Sequence, residues 1–189
     1  MDKKTEIINA ARPLFSQFGL RKVTTDDIAR ISGISKATIY KYFKNKSEIF
    51  HHVVKIESDI LLDDIKAAVG KAKTTRGRFK AHLLTKMTRI PELINFYHVT
   101  QDNANPFWPY IDEAREKFLQ AEKKILIEIL LTGNKAKELD VKNVELTAGI
   151  MIVSLKSQES DWSFQQHNIS IEKYIDTMID IMIDGIGKC

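Results

Sequence analysis

The sequence predicts an all-α fold: a compact N-terminal module of three short helices, followed by a larger helical body. Three observations carry this. Apolar residues recur every three or four positions along almost the whole chain, and no stretch shows the strict alternation of a strand. Cap residues stand at the starts of the proposed helices. Only 8 Gly and 4 Pro occur in 189 residues, too few for a turn-rich all-β chain. The length allows one large domain or two small ones, with a core that needs neither disulfides nor a structural metal.

The elements follow in order. Thr5 to Phe18 carries Ile7, Ile8, Ala11, Leu14, Phe15 and Phe18 at helical spacing, with Gly19 as the expected stop. Pro13 sits inside this pattern and is expected to kink it by freeing the carbonyl of Asn9. Thr24 is placed to cap the next helix, with Asp27 as an acidic form of the capping box, and Gly33 ends it. Ser35 caps a helix over Lys36 to Tyr42, and Asn45-Lys46-Ser47-Glu48 opens a long one toward Ala68. Lys71 to Arg78 reads as a connection, and Phe79–Arg89 and Pro91–Gln101 as moderate helices. Asp102 to Pro106 reads as a loop, and Pro109 as the first-turn proline of a helix that Gly133 closes. Val141–Lys156 and a last helix from Ile169 or Ser170 to Ile186 complete the chain.

Charge is unevenly spread. Residues 1–46 hold ten Lys and Arg against four acids, whereas the rest holds 19 against 21. A basic end on a mildly acidic body points to a polyanion-binding module joined to something else. The two short helices joined by Ser32-Gly33-Ile34-Ser35 have helix-turn-helix spacing. In such a unit the second helix enters the major groove of double-stranded DNA. Ser35, Lys36, Ala37 and Thr38 then reach base edges, while Ile31, Ile34 and Ile39 form the inner face. Tyr40, Lys41, Tyr42 and Lys46 are suited to phosphates, as is the helix N-terminus near Thr24 and Thr25.

These residues also resemble a family. Phe15-x-x-x-Gly19, Thr24-Thr25-x-x-Ile28-Ala29 and the run Gly33 to Ile49 (GISKATIYKYFKNKSEI) are similar to the DNA-binding domain of the TetR family of bacterial transcriptional regulators. The close match covers about residues 5–50. The resemblance implies that Thr25, Ser35, Lys36, Thr38, Tyr40, Tyr42 and Lys46 touch DNA. Ala37 stands where many members have Gly, and Pro13 where they have an ordinary helix former.

The last helix is apolar on most sides, leaving only the stripe Glu172, Asp176, Asp180 and Asp184 for water. The helix before it is similarly broad. Two such helices from each of two chains can form a four-helix interface, with Ile150, Val153, Tyr174, Ile175, Met178 and Met182 as its expected members. The resemblance implies the same homodimer. It also implies a small-molecule effector pocket in the C-terminal body. Aromatic and polar residues interleave there, and Phe96, Tyr97, His98, Phe107, Trp108, Tyr110, Phe118, Met151 and Trp162 are the candidates. The helix from Asn45 is the expected lever between pocket and DNA-binding head.

Other classes find less support. The five His are scattered, and no His-Glu-x-x-His, phosphate-binding Gly loop or Gly-x-Ser-x-Gly elbow occurs. No metal or cofactor is expected, a non-contiguous site using His82, His98 or His167 being the one metal option. The lone Cys189 allows no internal disulfide. Apolar runs such as Gly149 to Val153 fall far short of the roughly 20 residues a membrane span needs, and no signal peptide is read at Met1-Asp2-Lys3-Lys4. The expectation is therefore a cytoplasmic, homodimeric, ligand-responsive repressor on a palindromic operator. It reads DNA through residues 1–47 and binds effector and partner through 48–189. An activator, a helix-turn-helix protein controlled by a protein partner, and a helical enzyme or carrier with an incidental basic surface are the alternatives.

Overall fold

The computed structural model describes residues 2–93, 95, 108–156 and 169–186, and side chains within these except at 108–112, 155–156 and 184–186. The described residues are helical, without a strand: α1 Lys3–Lys22, α2 Thr25–Ser32, α3 Lys36–Tyr42, α4 Lys46–Lys71, α5 Thr75–Arg89, a 3-10 turn Ile90–Glu92, α6 Trp108–Lys135, α7 Val144–Lys156 and α8 Ile171–Ile186. The chain forms two compact units, residues 1–59 with 93–116 and residues 60–92 with 117–189. None of the described helices is long and apolar enough to cross a membrane.

The first unit is built on local signals. α1 buries Ile7, Ile8, Ala11, Phe15 and Leu20. Its break is at Gly19 (φ 75°, ψ 159°), and Pro13 stays within the helix. α2 starts on the full capping box: the Thr24 hydroxyl accepts from the Asp27 N–H at 3.2 Å, and the Asp27 carboxylate accepts from the Thr24 N–H at 3.0 Å. It ends on Gly33 in the left-handed region (φ 68°), a conformation that glycine adopts without steric cost. α3 has only seven residues, too few to persist alone. It is held because Ile39 and the following Phe43 are fully buried. Phe15 and Phe50 meet edge to face at 5.1 Å in the same core. α4 is capped by Asn45, whose side-chain oxygen accepts from the Glu48 N–H at 2.9 Å.

In the second unit α5, α6, α7 and α8 turn Phe79, Leu83, Phe118, Ile125, Leu126, Ile129, Ala148, Met151, Ile175 and Ile179 inward. α5 and α8 pack together, with Lys80 and Asp176 paired at 2.7 Å and Arg76 paired with Asp180.

Four expectations are corrected. α5 begins four residues before Phe79, because the Thr74 side chain caps it by accepting from the Gly77 N–H at 3.0 Å. The basic composition of that stretch conceals the start. Beyond α5, Pro91 lies in the 3-10 turn, and of the helix expected to Gln101 only Asn95 is described as helical. Gly133 does not stop α6. It lies inside the helix where a Cβ would come 2.7 Å from Leu139 and 2.9 Å from Thr75, so the position is kept bare by packing. The acidic stripe on α8 is not left to water alone, since Asp176 and Asp180 face cations of α5. The loop expected at 102–106 lies outside the described residues.

Candidate nucleic-acid interface

α2 and α3 are joined by a turn that is itself hydrogen-bonded. The Ser32 hydroxyl accepts from the Ile34 N–H at 3.3 Å, and the Ser35 hydroxyl caps α3 by accepting from the Thr38 N–H at 3.2 Å. Satisfying these N–H groups locally fixes the angle at which α3 is presented. With Ile39 turned inward, Lys36, Ala37, Tyr40 and Lys41 come out on the opposite face, all exposed, with Ser35 and Tyr42 beside them. A surface of two hydroxyl aromatics, two ammonium groups and a short methyl side chain fits base edges and phosphates rather than a protein core.

The electrostatics are mostly local. Lys36 pairs with Asp26 at 2.8 Å, and this hydrogen bond raises the lysine above its ordinary range. Hydrogen bonds from Thr24 hold Asp27 below the usual carboxylate range, which keeps the N-terminal turn of α2 charged and capped. Thr38 and Ser35 share a hydroxyl contact at 2.8 Å. The Thr25 side chain is buried.

Two expected roles look different in the structure. Ile31 is exposed rather than internal, because the inward stripe of α2 runs through Thr25, Ile28 and the half-buried Ser32. The Lys46 ammonium donates to the Val23 carbonyl at 2.6 Å and the Arg21 carbonyl at 3.4 Å. It therefore pins the end of α1, and its partial burial lowers its pKa from the usual lysine value.

The remaining candidates divide. Phe96, Tyr97, His98, Phe107 and Trp162 lie outside the described residues, and so does His167. Trp108 and Tyr110 open α6, where only the helix is described. Phe118 and Met151 are buried in the second unit. Of the dimer candidates, Ile150 and Val153 are 58% and 71% exposed, and Leu146 one turn earlier on α7 is exposed too. Tyr174, Met178 and Met182 are half-buried. Ile175 is fully buried within its own chain, so it is not part of that exposed surface. Among the described residues no group of three His, Cys, Asp or Glu is placed to hold a metal ion.

Sequence reasoning missed two buried polar clusters. In the first unit, Glu57 accepts from the Arg12 Nε and the Asn95 Nδ2, both at 2.9 Å, and the Asn95 amide also donates to the Ser16 hydroxyl at 2.8 Å. In the second, Glu122 lies 2.8 Å from the Lys86 Nζ and 3.1 Å from the His82 Nε2, all three buried. The signal available for the latter was the stripe 79, 82, 83 and 86 of α5 at core spacing with two ionisable members.

A helix-turn-helix with a polar, basic outer face and a pinned inner face defines a DNA-binding regulator. Comparison with known proteins agrees. Residues 7–53 match the model of the bacterial regulatory proteins of the tetR family. An uncharacterized HTH-type transcriptional regulator of Bacillus subtilis, YhgD, is 27% identical over 99% of this chain and 98% of its own. The HTH-type transcriptional repressor KstR2 of Rhodococcus jostii is 24% identical over 98% of this chain and 92% of its own. Among solved structures, the transcriptional regulator FadR from Bacillus subtilis, in complex with stearoyl-CoA, aligns with a TM-score of 0.70 at 19% identity, covering 96% of this chain and 98% of that one. The match places a tetR-type DNA-binding module in residues 7–53, and over nearly its full length the chain is similar to proteins named as HTH-type transcriptional regulators.

Proposed function

We propose that the protein is a homodimeric repressor that binds a palindromic operator through residues 1–47 and is released by a small molecule bound within residues 48–189. The observation that carries the DNA-binding half is the outer face of α3, where Lys36, Ala37, Tyr40 and Lys41 are exposed while Ile39 opposite them is fully buried. In this reading Ser35, Lys36, Ala37 and Thr38 meet base edges, and Tyr40, Lys41 and Tyr42 meet phosphates. Thr24 and Thr25 contribute through the N-terminus of α2, Thr25 by its N–H because its side chain is buried. Lys46 keeps a third ammonium donor for a phosphate while two serve the end of α1.

The dimer reading is supported by Leu146, Ile150 and Val153, three exposed apolar residues on one face of α7, with Ile181 exposed on α8. Tyr174, Met178 and Met182 extend that face. The name of KstR2 supports repression, and the acyl-CoA bound by FadR supports a small-molecule effector. Such a protein works in the cytoplasm.

The test is selection of bound sequences from a random duplex pool at two salt concentrations, with sedimentation of the complex. A two-fold symmetric motif that survives the higher salt, bound by two chains, is expected. Recovery of random sequence lost at higher salt overturns the reading.

A further inference from the structure

The second unit buries a charged cluster among apolar side chains. On α5, Phe79, His82, Leu83 and Lys86 form one buried stripe; on α6, Phe118 and Glu122 form another, one turn apart. The Lys86 ammonium lies 2.8 Å and 3.0 Å from the two Glu122 oxygens and 5.8 Å from the centre of the Phe118 ring. Burying a lysine, a glutamate and a histidine together costs desolvation that their mutual attraction only partly offsets.

The cluster is also unfinished. The Nδ1 of His82 has no hydrogen-bond partner, although the side chain is fully buried. Nε2 lies 3.1 Å from Glu122 Oε1, the oxygen that the Lys86 ammonium meets at 2.8 Å, so the unused capacity is at Nδ1. A buried polar atom left unpaired forfeits the hydrogen bond it had with water in the unfolded chain. Ordinary cores remove such groups, and sites that take a ligand keep them.

We propose that His82, with Lys86 and Glu122, is the polar anchor for a neutral, mainly apolar effector that carries a hydroxyl or amide group. This rests on the reading that a small-molecule effector binds within residues 48–189 and names the chemistry it takes. The charges of the cluster decide the class. The lysine already faces the glutamate, so a ligand carboxylate would meet the repulsion of Glu122 within a few ångströms. A ligand ammonium would meet Lys86 in the same way. A hydroxyl or amide both donates and accepts, and so completes His82 in either tautomer. Phe118, Phe79 and Leu83 supply the apolar surroundings.

The test uses the full-length protein, its selected operator duplex, and two probe sets of matched shape: decane, decan-1-ol and decanoate, and naphthalene, 2-naphthol and 2-naphthoate. Melting temperature and release of labelled DNA are read for each. The alcohol or phenol of at least one set is expected to release DNA at a concentration roughly tenfold or more below its hydrocarbon and its carboxylate, since a site built for a hydroxyl discriminates against analogues without one. His82→Leu is expected to abolish that preference and leave the hydrocarbon response. His82→Gln, which keeps a donor and an acceptor, is expected to retain it, and shows the effect apart from folding. If probes release DNA with the carboxylate preferred, or if His82→Leu keeps the alcohol preference, the anchor is wrong and the effector domain stands. If no probe raises the melting temperature or releases DNA, the anchor and the effector domain both fall.

Discussion

Two buried carboxylates, Glu57 and Glu122, have opposite surroundings. Glu57 of the first unit accepts from a half-exposed arginine and from an asparagine amide that reaches three groups at once. Its charge is shared with a guanidinium in contact with water, and Asn95 ties the carboxylate to α1. Glu122 of the second unit faces the buried Lys86 ammonium and the buried His82 ring, and hydrogen-bond capacity is left over at that ring. The same residue type thus serves as a knot in one place and as an open, dry charge in the other. The lesson is that burial alone says little; what matters is whether every donor and acceptor has been used.

The largest expected effect separates the two. Lys86→Met leaves Glu122 buried without its cation and should destabilise the protein by about 3–5 kcal/mol in urea unfolding. The double change Lys86→Met with Glu122→Leu should recover most of that loss, because an apolar pair needs no desolvation. If the double variant is as unstable as the single one, the cluster is a net stabiliser and the contrast fails.

Acid sharpens the same point. Glu122 is ionised down to about 2, against 4.5 for a free glutamate; burial opposes this, and the charge of Lys86, with His82, prevails. A carboxylate whose pKa is depressed on folding stabilises above its unfolded pKa. That stability is present above pH 4.5 and is lost as pH falls toward 2. Glu122→Gln should therefore flatten the acid limb of a stability-against-pH curve.

The knot should respond more mildly. Asn95→Ala removes donors to Ser16 and Glu57 and should cost about 1–3 kcal/mol. Operator affinity should fall with it if the knot holds α1 in place; unchanged affinity in a destabilised protein would limit Asn95 to folding. Ser35→Ala should cost about 1 kcal/mol as a lost N-cap, with DNA affinity falling more than stability. Asp180→Asn, at a half-exposed pair with Arg76, should change stability by less than about 0.5 kcal/mol, and still less at high salt.

What the sequence by itself determined is the reading head. Thr24 with Asp27, Ser35 and Asn45 mark the starts of α2, α3 and α4 because each acts on a backbone group three residues away, and Gly33 ends α2 through its own left-handed φ. Interactions that short are written in local order, and the outward position of Lys36, Ala37, Tyr40 and Lys41 follows from one buried Ile39. The limits of α5 and the role of Gly133 were less legible, the first hidden by basic composition and the second by dependence on Leu139 and Thr75. Tertiary structure alone decided that Lys46 pins α1, that Ile175 turns inward, and that Glu57 meets Arg12 and Asn95 while Glu122 meets His82 and Lys86. A buried charge needs a partner, but the partner can come from any element that folding brings within hydrogen-bond reach. Neither spacing nor composition carries that distance.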